Sequence, residues 1–174
     1  FLKGSAAAAA ALTSPLLPAD AAFSETENGL FSPVSVLCQT QYGPVRGREG
    51  KNGLLCWYGI PYGAAPTGES RWTAPQEPAR WLTVRDCTSP APAAYQYTTF
   101  PLGTEDCLTL DIYSSAEAKK RPVLVYLHGS AATGSSLELP GSELVRDVGC
   151  VFVALNYRLG LFGWNCLPAL TADP

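Results

Sequence analysis

The stretch that decides the fold runs from Val123 to Leu155 and reads VLVYLHGSAATGSSLELPGSELVRDVGCVFVAL. Its two ends, Val123 to Leu127 and Val151 to Leu155, are short, continuous apolar runs, typical of central β-strands covered on both faces. Within 137–149 apolar residues recur at helical spacing, and Gly149 is suited to end a helix. Strand, loop, helix and strand in this order predict a βαβ unit, with two parallel strands joined by a right-handed crossover.

The residues before this unit alternate in the manner of antiparallel strands. Strand-like patterning covers 36–45, is broken by a turn at Gly43-Pro44, and resumes at 54–58 after Asn52-Gly53. A further alternating run, 108–114, is predicted to be a half-buried strand. The fold class predicted from pattern alone is therefore α/β, with an antiparallel hairpin followed by the first parallel strands of a central sheet.

The segment 59–92 is crowded with Pro and Gly. It is predicted to be an ordered loop, because Trp72 and Trp81 are too apolar to be left in solvent. Trp57, Tyr58 and Trp72 are accordingly interpreted as core side chains.

Composition narrows the classes of function. The chain has 174 residues, of which 47% are hydrophobic, enough for the core of one domain. A net charge of −3, with 16% charged residues and no Lys/Arg block, offers no basic footprint for nucleic acid. No apolar run after the opening stretch reaches the roughly 18 residues that span a bilayer, so no stable membrane span is expected. The expected partners are small molecules or proteins, and the oligomeric state is left open.

The chain has six cysteines, more than an average cytosolic protein needs. None stands in the short paired spacing of a zinc site, so no metal is expected. An exported chain would oxidise some of them. They are Cys38, Cys56, Cys87, Cys107, Cys150 and Cys166.

The first 22 residues are interpreted as an export signal. Lys3 supplies a positive charge, residues 4–12 (GSAAAAAAL) form a mildly apolar run, and Ala19-Asp20-Ala21 makes an A-x-A-like cleavage site before Ala22. FLKGSAAAAA also resembles the second half of a twin-arginine signal, which predicts export to the cell envelope or beyond by that route. The alternative is an alanine-rich helix or a disordered tail.

A series of short motifs follows in a fixed order. They are QYGPVRG at 41–47, YGIPYGAAP at 58–66, GESRW at 68–72, Ala74-Pro75 running to Trp81, EDCLTLDIY at 105–113, VLVYLHG at 123–129 and NYRLGLFG at 156–163. In this order they resemble the motifs of the type B carboxylesterases, the cholinesterase-like branch of the α/β-hydrolase fold. The resemblance covers about Tyr42 to Trp164.

The resemblance also completes the predicted domain organisation. Residues 23–35 are polar and punctuated by Gly and Pro, as expected of a flexible N-terminal tail. Residues 36–174 are predicted to be the N-terminal portion of a carboxylesterase-like α/β-hydrolase domain.

The resemblance implies hydrolysis of carboxylic esters by a serine nucleophile, a histidine base and an acidic residue, through an acyl-enzyme. In the family the nucleophile stands in a G-x-S-x-G elbow after the fifth strand. Gly68-Glu69-Ser70 does not fit that elbow, because its fifth position is Trp72 and no buried strand precedes it. The nucleophile, acid and base are therefore expected outside this chain, which by itself should not turn over an ester. This chemistry requires no organic cofactor and no metal.

The catalytic part that the resemblance implies for this chain is the oxyanion loop. His128 begins the loop, Gly129 matches the first glycine of the family's H-G-G-G run, and Ser130 and Ala131 match the second and third. The N–H groups of Ser130 and Ala131 would then be two oxyanion donors. Both residues depart from glycine, and a Cβ there would narrow the pocket or redirect the amide. The alternative is a small-residue loop without chemistry.

Two pairs are implied to be structural. Cys87 and Cys107 stand where the family closes its first disulfide, with two free buried thiols as the alternative. Such a bridge would support export, because it needs an oxidising compartment. Glu105 and Arg158 match a family ion pair, suited to a two-pronged guanidinium–carboxylate contact.

Three interpretations of function follow. The chain is expected to be the N-terminal part of an exported carboxylic-ester hydrolase that acts on a small-molecule ester. The alternatives are a catalytically inactive cholinesterase-like protein that binds a partner, and a remnant that does not fold. A G-x-S-x-G motif in residues that follow Pro174 would separate the first two.

Overall fold

The computed structural model describes residues 31–116, 120–139 and 141–166. The predicted export signal lies outside these ranges, as does most of the predicted tail. The described strands are β1 (Phe31–Gln39), β2 (Pro44–Gly50), β3 (Leu54–Pro61), β4 (Arg85–Asp86), β5 (Gln96–Tyr97), β6 (Pro101–Leu102), β7 (Thr109–Ser115), β8 (Val123–Leu127) and β9 (Val151–Leu155). The described helices are α1 (Gly141–Val148) and α2 (Gly160–Gly163).

Seven strands form one mixed sheet in the order β1-β2-β3-β7-β9-β8, with β4 beside β2. Neighbours from β1 to β9 in this order run antiparallel, whereas β8 and β9 run parallel and are connected through α1. β5 and β6 form a separate two-stranded hairpin. The α/β class, with an antiparallel start followed by a parallel pair, is confirmed.

The turn between β2 and β3 shows why the chain reverses there. Asn52 and Gly53 both have positive φ, at 58° and 68°. A tight hairpin turn whose twist matches that of its two strands needs two consecutive residues with positive φ. Asn-Gly is the pair that adopts this conformation most readily.

The predicted βαβ unit is present, with a shorter helix than the pattern indicated. β8 and β9 have the predicted bounds, and α1 occupies Gly141–Val148 of the predicted 137–149. Gly149, at φ 70°, donates its N–H to the Val145 carbonyl and ends the helix.

The first strand begins earlier than predicted. β1 starts at Phe31, so the prediction of a flexible tail through residue 35 was wrong for its last five residues. The reason is that β2 continues to Gly50 and pairs with Phe31, across an irregularity between Phe31 and Ser35, a stretch that contains Pro33. Proline is tolerated there because β1 is an edge strand.

The sheet carries a core on each face. One core packs beneath α1 and contains Cys56, Tyr58, Tyr113, Val145, Cys150, Phe152 and Ala154. The other packs beneath the long loop and contains Val45, Trp57, Ile60, Cys87, Leu110 and Val153.

The prediction that β8 is covered on both faces was wrong. Its Val125 and Leu127 side chains are 54% and 65% exposed, although a continuous apolar run predicts cover on both faces. β8 lies at the edge of the sheet, and only Leu124 and Tyr126 turn towards a core.

The aromatic side chains predicted to be buried differ in their surroundings. Trp57 and Tyr58 are buried as predicted, and the indole N–H of Trp81 donates to the Pro44 carbonyl. Trp72 is 38% exposed and is therefore not a core residue. It stacks on Phe162 at the surface instead, with a centroid separation of 6.4 Å.

Candidate active site

The predicted oxyanion loop lies where β8 and β9 both end. His128 follows β8 directly, and the segment 156–160 follows β9. The carboxyl ends of parallel strands meet at one edge of a sheet, which is where α/β folds bind ligands. The loop 128–136 and the turn 156–160 therefore form one site.

His128 is packed as a support at the start of the loop. Its side chain is 3% exposed and its ring stacks on that of Tyr157, with centroids 4.3 Å apart. Tyr157 Oη donates to the His128 carbonyl, and His128 Nδ1 lies 3.1 Å from the Gly129 carbonyl oxygen. Tyr157 Oη also lies 3.2 Å from Nδ1. Because the Tyr157 proton goes to the His128 carbonyl, Oη and the Gly129 carbonyl can both accept, and a proton on Nδ1 suits both neighbours. Nε2 is buried and has no hydrogen-bond partner within the described part of the chain.

Ser130 and Ala131 present two adjacent backbone donors. Both residues are exposed, and neither N–H makes a hydrogen bond to any residue in the described ranges. Two neighbouring free N–H groups can stabilise a negatively charged oxygen, which is the role predicted for them.

Ser130 occupies a conformation that favours glycine. Its φ is 73°, in the left-handed region. Its Oγ accepts the N–H groups of Ala132 at 3.1 Å and Thr133 at 3.3 Å. The serine hydroxyl thus closes the tip of the loop on itself and satisfies donors that would otherwise need other partners.

Three contacts hold the rest of the loop in place. Gly160 donates its N–H to the Ala131 carbonyl at 2.7 Å. Gly134 is held by the carboxamide of Gln96, and Ser136 donates its N–H to Asn156 Oδ1 at 2.9 Å.

A buried polar network lies beneath the end of the loop. Asp111 Oδ2 accepts the Ser136 hydroxyl at 2.7 Å, and Oδ1 accepts the Gly59 N–H at 2.8 Å. Asn156 joins the same network at Ser136, whose N–H its Oδ1 accepts, and its own N–H donates to the Thr109 carbonyl at 2.8 Å. Buried polar groups are costly unless they are hydrogen-bonded, so this network ties β3, β7 and β9 to the loop.

Sequence reasoning did not single out Gln96, Asp111, Ser136 or Asn156. Asp111 carried one usable signal, a carboxylate within the alternating strand 108–114. Asn156 lay inside the NYRLG motif, but its hydrogen bonds could not be inferred from it. Gln96 and Ser136 stand in polar loop sequence that gives no local signal.

The predicted ion pair between Glu105 and Arg158 was wrong in its cation. Glu105 pairs with Arg71, whose Nε and Nη2 lie 2.6 and 2.8 Å from the two carboxylate oxygens. This hydrogen bonding raises the pKa of Arg71. Arg158 instead donates from Nη1 to the Thr73 carbonyl at 3.0 Å. Arg71 approaches edge-on and presents two parallel donors, which is the geometry that a carboxylate favours.

The predicted disulfide between Cys87 and Cys107 is not formed. Both residues are free, buried thiols: Cys87 lies in the core beneath the long loop, and Cys107 lies in a third cluster with Ala94, Leu108 and Leu159. Burial raises the pKa of each thiol to about 11. The alternative of two free buried thiols is therefore the one that the structure supports, and these cysteines no longer argue for an oxidising compartment.

Three further observations concern Ser70, metal ligands and the length of the helices. Ser70, excluded above as the nucleophile, lies in an exposed 3-10 turn at Gly68–Ser70. Across the described ranges, no group of three or more His, Cys, Asp or Glu side chains is placed to hold a metal ion. None of the described helices is long and apolar enough to cross a membrane.

Comparison with known proteins decides the family. The model of the carboxylesterase family matches residues 34–170. The chain belongs to the carboxylesterase family. Its architecture is accordingly the N-terminal portion of the α/β-hydrolase fold that its esterase neighbours share.

Several carboxylesterases are similar in sequence. Para-nitrobenzyl esterase of Bacillus subtilis is 39% identical over 137 residues, which are 72% of this chain and 28% of that protein. Carboxylesterase 3B of Mus musculus is 38% identical over 149 residues, covering 72% of this chain and 26% of that protein.

Solved structures of carboxylesterases are similar to this chain as well. A PNB esterase superimposes with a TM-score of 0.71 at 37% identity, covering 76% of this chain and 29% of its own. Geobacillus stearothermophilus carboxylesterase EST55 superimposes with a TM-score of 0.68 at 39% identity, covering 76% of this chain and 28% of its own. The chain thus spans under a third of the length of these carboxylesterases.

Proposed function

We propose that the protein containing this chain hydrolyses small-molecule carboxylic esters through an acyl-enzyme, and that this chain supplies two donors of the oxyanion hole. The donors are the N–H groups of Ser130 and Ala131. The serine nucleophile, the histidine base and the acidic residue would come from other parts of that protein. The relatives named esterases support this proposal, as does membership of the family.

The observation that carries the proposal is the pair of free, adjacent N–H groups at the carboxyl ends of β8 and β9. Attack on an ester moves negative charge onto the carbonyl oxygen. Preorganised donors stabilise that charge, each contributing about 3 kcal/mol in the transition state. The contacts of His128, Gly160 and Gln96 hold the loop before substrate arrives, as preorganisation requires.

The test uses the complete protein and a series of p-nitrophenyl esters of increasing acyl length. We expect p-nitrophenol release with an initial burst, and covalent labelling of one serine by a fluorophosphonate. Absence of both hydrolysis and labelling would contradict the proposal. That outcome would favour the catalytically inactive binding protein, for which the Ser130 and Ala131 departures from glycine would then be the first explanation to examine.

We further propose that the protein is exported, by the twin-arginine route. The support is sequence alone: Lys3, the alanine-rich run and the Ala19-Asp20-Ala21 cleavage pattern. Mass spectrometry of the mature protein from its native host should find Ala22 at the N-terminus. A mature protein that retains residues 1–21 would refute this proposal.

A further inference from the structure

We infer that Gln96 is a positioning residue of the oxyanion hole. It contacts neither of the proposed donors and acts on them through Gly134 and His128. The inference rests on the proposed function, since it concerns the same site.

The carboxamide of Gln96 holds one residue of the loop from both sides. Nε2 donates to the Gly134 carbonyl at 2.9 Å, and Oε1 accepts the Gly134 N–H at 3.0 Å. The side chain is 6% exposed, and 38 residues separate it from Gly134. A two-point contact of this kind fixes both the position and the orientation of the Gly134 backbone.

Gln96 can act as a clamp because its own backbone is anchored. It lies on β5, paired with β6 through Gln96 and Leu102. Nε2 also donates to the Ala94 carbonyl at 3.1 Å, which fixes the direction of the carboxamide. Tyr95 and Thr104 continue the anchorage through a backbone hydrogen bond of 2.8 Å.

Gly134 transmits the position of the clamp to His128. Its φ is 137°, and a Cβ added there would lie 2.3 Å from His128 Nδ1. Gly134 therefore packs directly against the imidazole ring, on the side of the nitrogen that contacts the Gly129 carbonyl.

His128 in turn sets the direction of the first donor. The Gly129 carbonyl and the Ser130 N–H belong to one planar peptide unit, in which they point in opposite directions. The contact between Nδ1 and the Gly129 carbonyl thus fixes where the Ser130 N–H points. A displacement of Gly134 would remove one of the two surfaces that pack against the imidazole, the other being the Tyr157 ring, and would loosen this peptide.

The experiment compares Gln96→Ala and Gln96→Glu in the complete protein. Alanine removes the clamp, whereas glutamate keeps its size and an acceptor for the Gly134 N–H but cannot donate to the Gly134 carbonyl. Gln76→Ala is the matched control, because the exposed Gln76 side chain donates to the nearby Ala74 carbonyl, while its backbone carbonyl, which accepts the Ala64 N–H, is kept in the variant. Active sites are counted from the p-nitrophenol burst, so that kcat refers to correctly folded enzyme.

We expect both Gln96 variants to lower kcat per active site by about 10- to 100-fold, with KM within a factor of two. Binding of a trifluoromethyl ketone, which mimics the oxyanion, should weaken by a similar factor. Gln76→Ala should match the wild type. If Gln96→Ala does not fold, Gln96→Glu alone decides the outcome.

Two results would overturn the inference, and they differ from failure of the proposed function. An unchanged kcat per active site, with fewer active sites, would show that Gln96 serves stability alone. Equal losses of ester and ketone affinity at constant kcat would place its effect on substrate binding. A wild-type protein that hydrolyses no ester would instead refute the proposed function, and this inference with it.

Discussion

At the scale of single residues, Ser130 combines an unfavourable backbone with a favourable side chain. Its left-handed φ of 73° costs any residue with a Cβ about 1 kcal/mol, while its hydroxyl accepts two N–H groups. Ser130→Ala and Ser130→Gly both remove the hydroxyl, so the difference between them isolates the backbone. We predict that the glycine variant is more stable than the alanine variant by about 1 kcal/mol in urea denaturation. Equal stabilities would contradict the left-handed conformation.

The buried thiols predict a defined loss of stability at alkaline pH. Cys87 and Cys107 have a pKa near 11 in the folded state, against 9.0 as the ordinary value. Between these values the unfolded chain loses protons that the folded chain retains, so the free energy of unfolding falls as pH rises from about 9 to about 11. Thermal melts across this range should show a smaller decline for Cys87→Ala than for the wild type.

Thiol labelling at pH 8 supplies a separate prediction. The exposed Cys38 and Cys166 should react with iodoacetamide in the folded protein, whereas Cys87 and Cys107 should react after unfolding without reductant. Peptide mapping identifies each site. A Cys87–Cys107 peptide that appears only as a disulfide would contradict the structure.

The residue scale is also where sequence reasoning was least complete. The EDCL motif indicated that Glu105 pairs with an arginine, but a motif gives no direction of approach. Arg71 and Arg158 both lie in motifs, and the two-pronged contact of Arg71 becomes visible only once the turn after Gly68 is placed. For the same reason, motif position alone paired two cysteines that belong to different clusters.

At the scale of elements, Gly134 of the oxyanion loop leaves less room for a side chain than Gly68 of the exposed 3-10 turn. An added Cβ at Gly134 meets His128 at 2.3 Å and Glu138 at 2.6 Å, whereas one at Gly68 meets nothing within 4 Å. Gly68 lies in the left-handed region at φ 56°, whereas Gly134 is at φ 137°, where a Cβ is tolerated less, so backbone strain and close contacts both disfavour Gly134→Ala. We predict that Gly134→Ala costs about 1–3 kcal/mol more than Gly68→Ala in chemical denaturation. Similar losses of stability in the two variants would mean that the oxyanion loop shifts to accommodate the added methyl group at little cost.

Elements were the level best predicted from the sequence. β8 and β9 were located to the residue, because continuous apolar runs between polar turns leave little choice of boundary. The start of β1 was missed, because FSPVS contains a proline and lies on a strand whose pairing depends on residues 44–50. Whether a residue pairs across a sheet is decided by its partner strand as much as by itself.

At the scale of the whole molecule, β8 leaves an apolar edge. Val125 and Leu127 are largely exposed, and such an edge is prone to pair with another chain. We predict that the 174-residue chain, expressed by itself, self-associates, and that Val125→Lys reduces this association in light scattering. Val148→Lys is the control, because Val148 is 62% exposed but lies on α1. If both variants behave alike, general surface apolarity and not the strand edge drives association.

The contacts of the oxyanion loop also bear on the order of events during synthesis. The loop leaves the ribosome after Gln96, yet its Ala131 carbonyl bonds to Gly160, which is translated later. Contacts that are distant in sequence form late in folding. The nascent chain therefore cannot hold the Ser130 and Ala131 donors in their final arrangement until β9 has emerged and docked. On a ribosome paused before Gly160, the nascent chain would contain the residues of the β2–β3 and β5–β6 hairpins, but its oxyanion donors would not yet be held in place.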